Sequence, residues 1–175
     1  NLNKISQCYW RDGRFEKSMA IARQVLQKSI ENLGPGTLED GEAYENMGVI
    51  NDETGNFEAA YQYYQKALDI QLKTVGEYHP HVANTYNNLA ILFDKTSRDR
   101  ESLDYYKKSL VIYRKLYGEV SMAASNALNN IGTMYYKAGD YKQALLYFRQ
   151  SLEMKKKLPG DKRLIISDSY ENVGL

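Results

Sequence analysis

Cysteine is almost missing from this 175-residue sequence: Cys8 stands alone. One thiol excludes an internal disulfide and any cysteine-based zinc site. It fits a reducing compartment such as the cytoplasm. Proline occurs three times, and the two histidines, His79 and His81, flank Pro80. Neither histidine has further soft ligands near it in the sequence. A surface loop is expected there rather than a metal site, and no cofactor is expected. Neither sign of charge dominates: 23 basic and 22 acidic residues leave a net charge of +1. No strong field therefore selects nucleic acid or a membrane surface as partner, and no apolar run is long enough to cross a bilayer. A signal peptide is not visible. The missing initiator methionine, and a last repeat that stops midway, read as a piece of a longer protein. No phosphate-binding glycine loop, catalytic carboxylate pair or nucleophile constellation occurs, so the chain is not expected to be an enzyme.

What the sequence does contain is a period. The stretch Val82 to Phe93 superimposes on Asp40 to Asn51, on Ala124 to Tyr135 and on Ile166 to Leu175 when shifted by multiples of 42 residues. An asparagine survives every shift (Asn46, Asn88, Asn130, Asn172), as does a small residue two places later (Gly48, Ala90, Gly132, Gly174). Gly34, Gly76, Gly118 and Gly160 keep the same spacing. A fixed period of this size indicates an array in which each unit contacts only its neighbours.

Within each unit, apolar residues three and four apart alternate with glycine and proline stops, which predicts pairs of helices. The first helix of a pair is expected up to about residue 11, over 39–53, over 80–95 and over 122–137. The second is expected over 15–33, 57–75, 100–117 and 141–158. Asp12-Gly13-Arg14, Thr54-Gly55-Asn56 and Gly139-Asp140 are the turns inside pairs. Ser97-Arg98-Asp99 replaces the glycine turn and is expected to be the least regular. Small residues at 60, 102 and 144, followed one helical turn later by Tyr64, Tyr106 and Phe148, let neighbouring helices approach and then fill the gap. Cys8 aligns with Ile50, Leu92 and Met134 and is expected to be a buried, inert thiol. Lys155-Lys156-Lys157 closes a helix, where cations complement the dipole.

The pattern Tyr86-x-x-Leu89-Ala90-x-x-Phe93, then Ser102-x-x-x-Tyr106, resembles the tetratricopeptide repeat. The form with a 42-residue period, as in Gly76-Glu77-x-His79-Pro80-x-Val82-Ala83, resembles the kinesin light chain and nephrocystin-3 type of that repeat. The resemblance implies an all-α, right-handed superhelical solenoid of antiparallel helix pairs. Its divisions would be a partial repeat 1–36, repeats 37–78, 79–120 and 121–161, and a lone first helix 162–175, forming one array over 1–175.

In such an array the first helices line a concave groove. The motif fixes their core face, so the opposite face points into the groove. It carries Lys4, Gln7, Trp10 and Arg11 in the first unit and Glu42, Glu45, Asn46, Val49, Asp52 and Glu53 in the second. In the third it carries Asn84, Asn87, Asn88, Ile91, Asp94 and Lys95, and in the fourth Asn126, Asn129, Asn130, Thr133, Tyr136 and Lys137. Asparagine is a mediocre helix former, so a register of them asks for a reason. An amide offers both donor and acceptor and suits the main chain of an extended peptide. The family resemblance implies that Asn46, Asn88 and Asn130 hold such a main chain, with Arg11, Lys95 and Lys137 taking carboxylates. Alternatively the amides bond the adjacent repeat and fix the pitch. Trp10 is either a ligand platform or a cover for the array's first edge. The expected function is non-catalytic binding of a peptide or unstructured partner segment of mixed charge, in an adaptor role. Two further readings are self-association through an exposed final helix (Ile165, Tyr170, Val173) and a regulatory region of a larger protein whose enzyme domain lies elsewhere.

Overall fold

The computed structural model describes residues 2–159, and every helix below lies within them. They form α1 (Leu2–Arg11), α2 (Phe15–Leu33), α3 (Leu38–Glu53), α4 (Phe57–Val75), α5 (Pro80–Lys95), α6 (Asp99–Tyr117), α7 (Met122–Lys137) and α8 (Tyr141–Lys157), and no strand occurs among them. The expected final helix over 162–175, with its apolar residues, lies outside the described residues. Two compact units divide inside α5, after Leu92.

In the first unit α1 packs on α2 and α3, and α3 packs on both α2 and α4. The core includes Ala43, Met47 and Ile50 of α3 and Ala60, Tyr64 and Ala67 of α4, all at most 3% exposed. The close approach is made at Gly48. A Cβ there would lie 2.6 Å from the Tyr64 ring, so this position admits no side chain without displacing the ring. Gly132 and Phe148 reproduce the same 2.6 Å approach in the second unit. In the partial first repeat Ser6 and Ala22 stand at the positions of the glycine and the ring. Ser6 also meets Ser18, the equivalent of Ala60: their hydroxyls lie 3.1 Å apart and each donates to the other's carbonyl.

Helix α3 begins with a capping box. Thr37 Oγ1 accepts from Asp40 N, while Asp40 Oδ2 accepts from Thr37 N at 3.0 Å and from Gly36 N at 2.7 Å. This gives Asp40 a reason to be buried where the other repeats place Val82 and Ala124: it satisfies backbone donors at the helix start.

In the second unit α7 packs on α6 and α8. Phe93 stacks on Tyr105 and Tyr135 on Tyr147, each with centroids 5.4 Å apart. Asn51 occupies the matching position in the second repeat, and there Tyr63 stacks on Tyr44.

Two expectations need correction. The Ser97 turn is not irregular. Ser97 has φ 58°, in the left-handed region that Gly13 (72°), Gly55 (78°) and Gly139 (78°) occupy at the equivalent positions. The backbone path is kept, and serine carries the strain. Cys8 is exposed, not buried. Ile50 and Met134 are at most 3% exposed because α3 and α7 each pack on the helix before and the helix after them, whereas the described partners of α1 are α2 and α3.

Candidate functional site

Residues of α1, α3 and the first three turns of α5, with Ser18 of α2 and Tyr64 of α4, surround a cavity of about 700 Å³ in the first unit. Helical periodicity places the side chains. Lys4, Gln7 and Arg11 follow one another at heptad-like spacing on α1, Glu42, Glu45, Val49 and Asp52 do so on α3, and His81, Asn84, Asn88 and Ile91 on α5. Of the residues expected at the site, Arg11, Asn46, Asn84, Asn87 and Asn88 come together here, and Trp10 stands half-buried in the same wall.

The wall is held by a continuous polar network. Asn3 Nδ2 donates to Glu42 Oε2 at 2.8 Å, and Asn46 Nδ2 donates to Asn3 Oδ1 at 3.3 Å. Gln7 donates to Asn46 Oδ1 at 3.4 Å. Asn88 Nδ2 donates to Glu45 Oε1 at 3.1 Å. The fully buried Gln71 donates to Glu45 Oε2 at 3.3 Å, and its own carbonyl accepts from Thr85 at 2.8 Å. The bonds between first helices join residues 39 or 43 apart, so each first helix is pinned to the next at a fixed register.

The ionic centre of this network is His81. It sits in the first turn of α5 rather than in a surface loop as expected. Its Nε2 lies 3.1 Å from Glu42 Oε1 and its Nδ1 lies 3.9 Å from Glu45 Oε2. The hydrogen bond to Glu42, then the one to Glu45, push its pKa up to about 10 against the opposing effect of burial. Glu42 is correspondingly held below the usual carboxylate range, chiefly by its hydrogen bond to His81. The acidic face of α3 therefore does have a base, supplied by the next repeat. The signal in the sequence is Pro80 itself: a proline that opens a helix puts the residue after it in the first turn, on a face, and not in the loop. His79, stacked on His81 at 5.2 Å between centroids, has its pKa lowered by burial.

Below these residues lies Tyr64, 1% exposed yet lining the cavity. Burial first, and the nearby charges of Asp52, Glu45 and Glu53 next, raise its pKa, so the phenol stays protonated.

In the second unit, Asn126, Asn129, Asn130 and Thr133 share one face of α7, and Lys137 ends it. Asn126 is exposed, and Asn129 and Asn130 are half-buried. Lys137 Nζ donates to Asp94 Oδ1 at 2.6 Å, again 43 residues apart, so this expected carboxylate binder already holds a carboxylate of its own chain. Lys95 is exposed at the end of α5. Among the described residues no group of three or more His, Cys, Asp or Glu side chains is arranged to hold a metal ion. No helix there is long and apolar enough to cross a membrane.

Comparison with known proteins agrees with this architecture. The family model described as tetratricopeptide repeat matches residues 1–73, 42–115 and 95–157. Among curated protein sequences none matches the chain. Of solved structures, BtubC (BKLC) from P. vanneervenii is similar with a TM-score of 0.89 and 23% identity, over 99% of this chain and 69% of that one. Nearly identical TPR-like repeats of a putative kinesin light chain from Podosopora anserina are similar with a TM-score of 0.79 and 16% identity, over 99% of this chain and 85% of that one. A single-substitution form of the same repeats gives 0.78. At these identities the likeness is one of fold, the all-α repeat fold of helical solenoids. With the family model spanning nearly the whole sequence, the chain belongs to the tetratricopeptide repeat family.

Proposed function

We propose that the cavity of the first unit binds an extended segment of a partner protein, without catalysis, and that the chain works as an adaptor. The fold is a protein–protein interaction module. The observation that carries the finer reading concerns which polar groups remain available. Glu42 and Glu45 are taken up by His81, Asn3, Gln71 and Asn88. Among the described residues the side chains of Lys4, Arg11 and Asn87 make no hydrogen bond or ion pair, and all three line the cavity. The charge left for a ligand is therefore positive on the α1 wall, although acids outnumber bases around the cavity. Arg11 and Lys4 take a carboxylate, Asn87 meets main chain, and Val49 and Ile91 supply apolar contact. Because the wall is already cross-linked, it is preformed, and most of the ordering cost falls on the ligand. In the second unit Asn126, Asn129 and Asn130 would offer amides, and Lys95 and Lys137 cations, to a partner segment by the same chemistry, in a reducing compartment such as the cytoplasm.

A second reading is favoured by specific bonds. Asn46 to Asn3, and Asn88 to Glu45, are the adjacent-repeat contacts that a purely structural asparagine would make. Capture of partners by the immobilised chain, repeated with Arg11→Ala, Asn87→Ala and Asn88→Ala, separates the two. Lost capture by Arg11→Ala and Asn87→Ala at an unchanged melting temperature supports ligand binding. Unchanged capture with a lowered melting temperature in Asn88→Ala leaves only the structural role.

A further inference from the structure

The second helix of each repeat has an outward stripe at five positions, i, i+4, i+7, i+11 and i+15, which fall on one helical face. The stripe changes sign between the units. In α2 its charged members are Glu16, Arg23 and Glu31, and in α4 they are Glu58, Asp69 and Lys73, so both are net acidic. In α8 they are Lys142, Arg149 and Lys157 against Glu153, net basic. Helix α6 has Arg100, Lys107 and Lys115 against Asp104, also net basic. The stripe's apolar member differs as well: Leu146 in α8 is 49% exposed and Val111 in α6 is 59% exposed, while α4 has none.

On α8 the three cations Lys142, Arg149 and Lys157 are exposed and, among the described residues, make no ion pair. Glu153, the one acid in their row, is held by Lys156 at 2.9 Å. The equivalent positions of α6 stay exposed or half-exposed although α7 packs on that helix, and Lys107 remains half-exposed while donating to Tyr135 Oη of α7 at 3.3 Å.

We propose that the outer stripe of the second unit docks an acidic α-helix of a partner protein, one with carboxylates a heptad apart and an apolar residue between them. The spacing argues for this occupant. Seven or eight residues at 1.5 Å each put the α8 cations roughly 10.5–12 Å apart, which is the repeat of same-face residues on a facing helix. A nucleic-acid strand presents a charge every ~3.4 Å along its axis, several times denser, and its phosphates offer nothing to Leu146. This surface lies on second helices and does not depend on the cavity of the first unit.

The test uses the whole chain and a synthetic helical peptide with glutamates at i, i+7 and i+14 and leucine between them, followed by fluorescence anisotropy. Controls are a peptide of the same composition in scrambled order, a polyuridine oligonucleotide, and vesicles containing phosphatidylserine. The heptad peptide is expected to bind best, less at high salt. The triple reversal Lys142→Glu, Arg149→Glu, Lys157→Glu should weaken it about tenfold or more, as three exposed pairs lost together would. Leu146→Ser, which leaves the charges intact, should weaken it less, and Lys66→Glu with Lys73→Glu in α4 should not weaken it. Equal binding of the scrambled peptide, tighter binding of polyuridine or vesicles, or an unchanged affinity of the folded triple variant would each overturn the proposal.

Discussion

The two units solve the same packing problem alike and the same electrostatic problem differently. Both bring a glycine of the first helix against an aromatic ring of the second, Gly48 on Tyr64 and Gly132 on Phe148. Their polar faces diverge. In the first unit two half-buried glutamates are gathered under one imidazolium and three amides. In the second those positions carry Asn126 and Asn129, and the acid Asp94, aligned with Asp52, is met by the more exposed Lys137. The apolar approach leaves room only for a small residue because the ring and the glycine already touch, and the other repeats carry Ser6 and Ala90 at this position. Surface charges can be balanced in several ways, and the repeats differ in which one they use.

The largest effect is expected where the units agree. Gly48→Ala and Gly132→Ala each force a methyl into a ring, and overpacking of this kind costs about 1–3 kcal/mol. Thermal unfolding followed by circular dichroism should show comparable losses for both. A neutral result at either position would mean that the close approach is not shared.

A smaller effect should distinguish the units. His81→Gln leaves Glu42 and Glu45 without their cation, at a cost of about 1–2 kcal/mol for a partly buried pair. Lys137→Met removes an exposed pair and should cost under about 1 kcal/mol. The pH dependence gives the sign. His81 has a raised pKa, so its contribution is fully present below its ordinary value of 6.5 and is lost as pH rises through about 10. Glu42 has a lowered pKa, so its contribution is present above 4.5 and is lost as pH falls. The cluster should stabilise most between about pH 4.5 and 6.5. The melting temperature should decline from about pH 6.5 to 10 in the native chain and decline less in His81→Gln. Equal slopes in the two proteins would contradict the pairing.

The smallest effect concerns the turn in which the repeats differ by one residue. Ser97→Gly relieves a left-handed serine at φ 58° and should raise stability by about 0.5–1 kcal/mol, offset in part by the greater freedom of glycine in the unfolded chain. A lowered melting temperature would show that the serine side chain has a role of its own.

Helix pairing is legible because period and stop signals are local properties of the chain. The boundaries at Phe57–Val75, Pro80–Lys95 and Met122–Lys137 follow from glycine turns and from a proline at a helix start. The face of Asn46 and Asn88 is legible for the same reason, since 42-residue spacing and helical phase together orient a side chain. Cys8 is not, because burial depends on how many helices cover a face, and alignment with Ile50 does not report that number.

By itself the sequence determined the repeat length, the eight described helices, and which residues of each first helix share a face, because these depend only on chain geometry and apolar spacing. Tertiary structure alone decided how polar groups 36 to 43 residues apart are matched: His81 with Glu42 and Glu45, Asn88 with Glu45, Lys137 with Asp94. The reason is that an ion pair or hydrogen bond acts over a few ångströms. Its existence therefore rests on the register between stacked helices, which no single helix encodes.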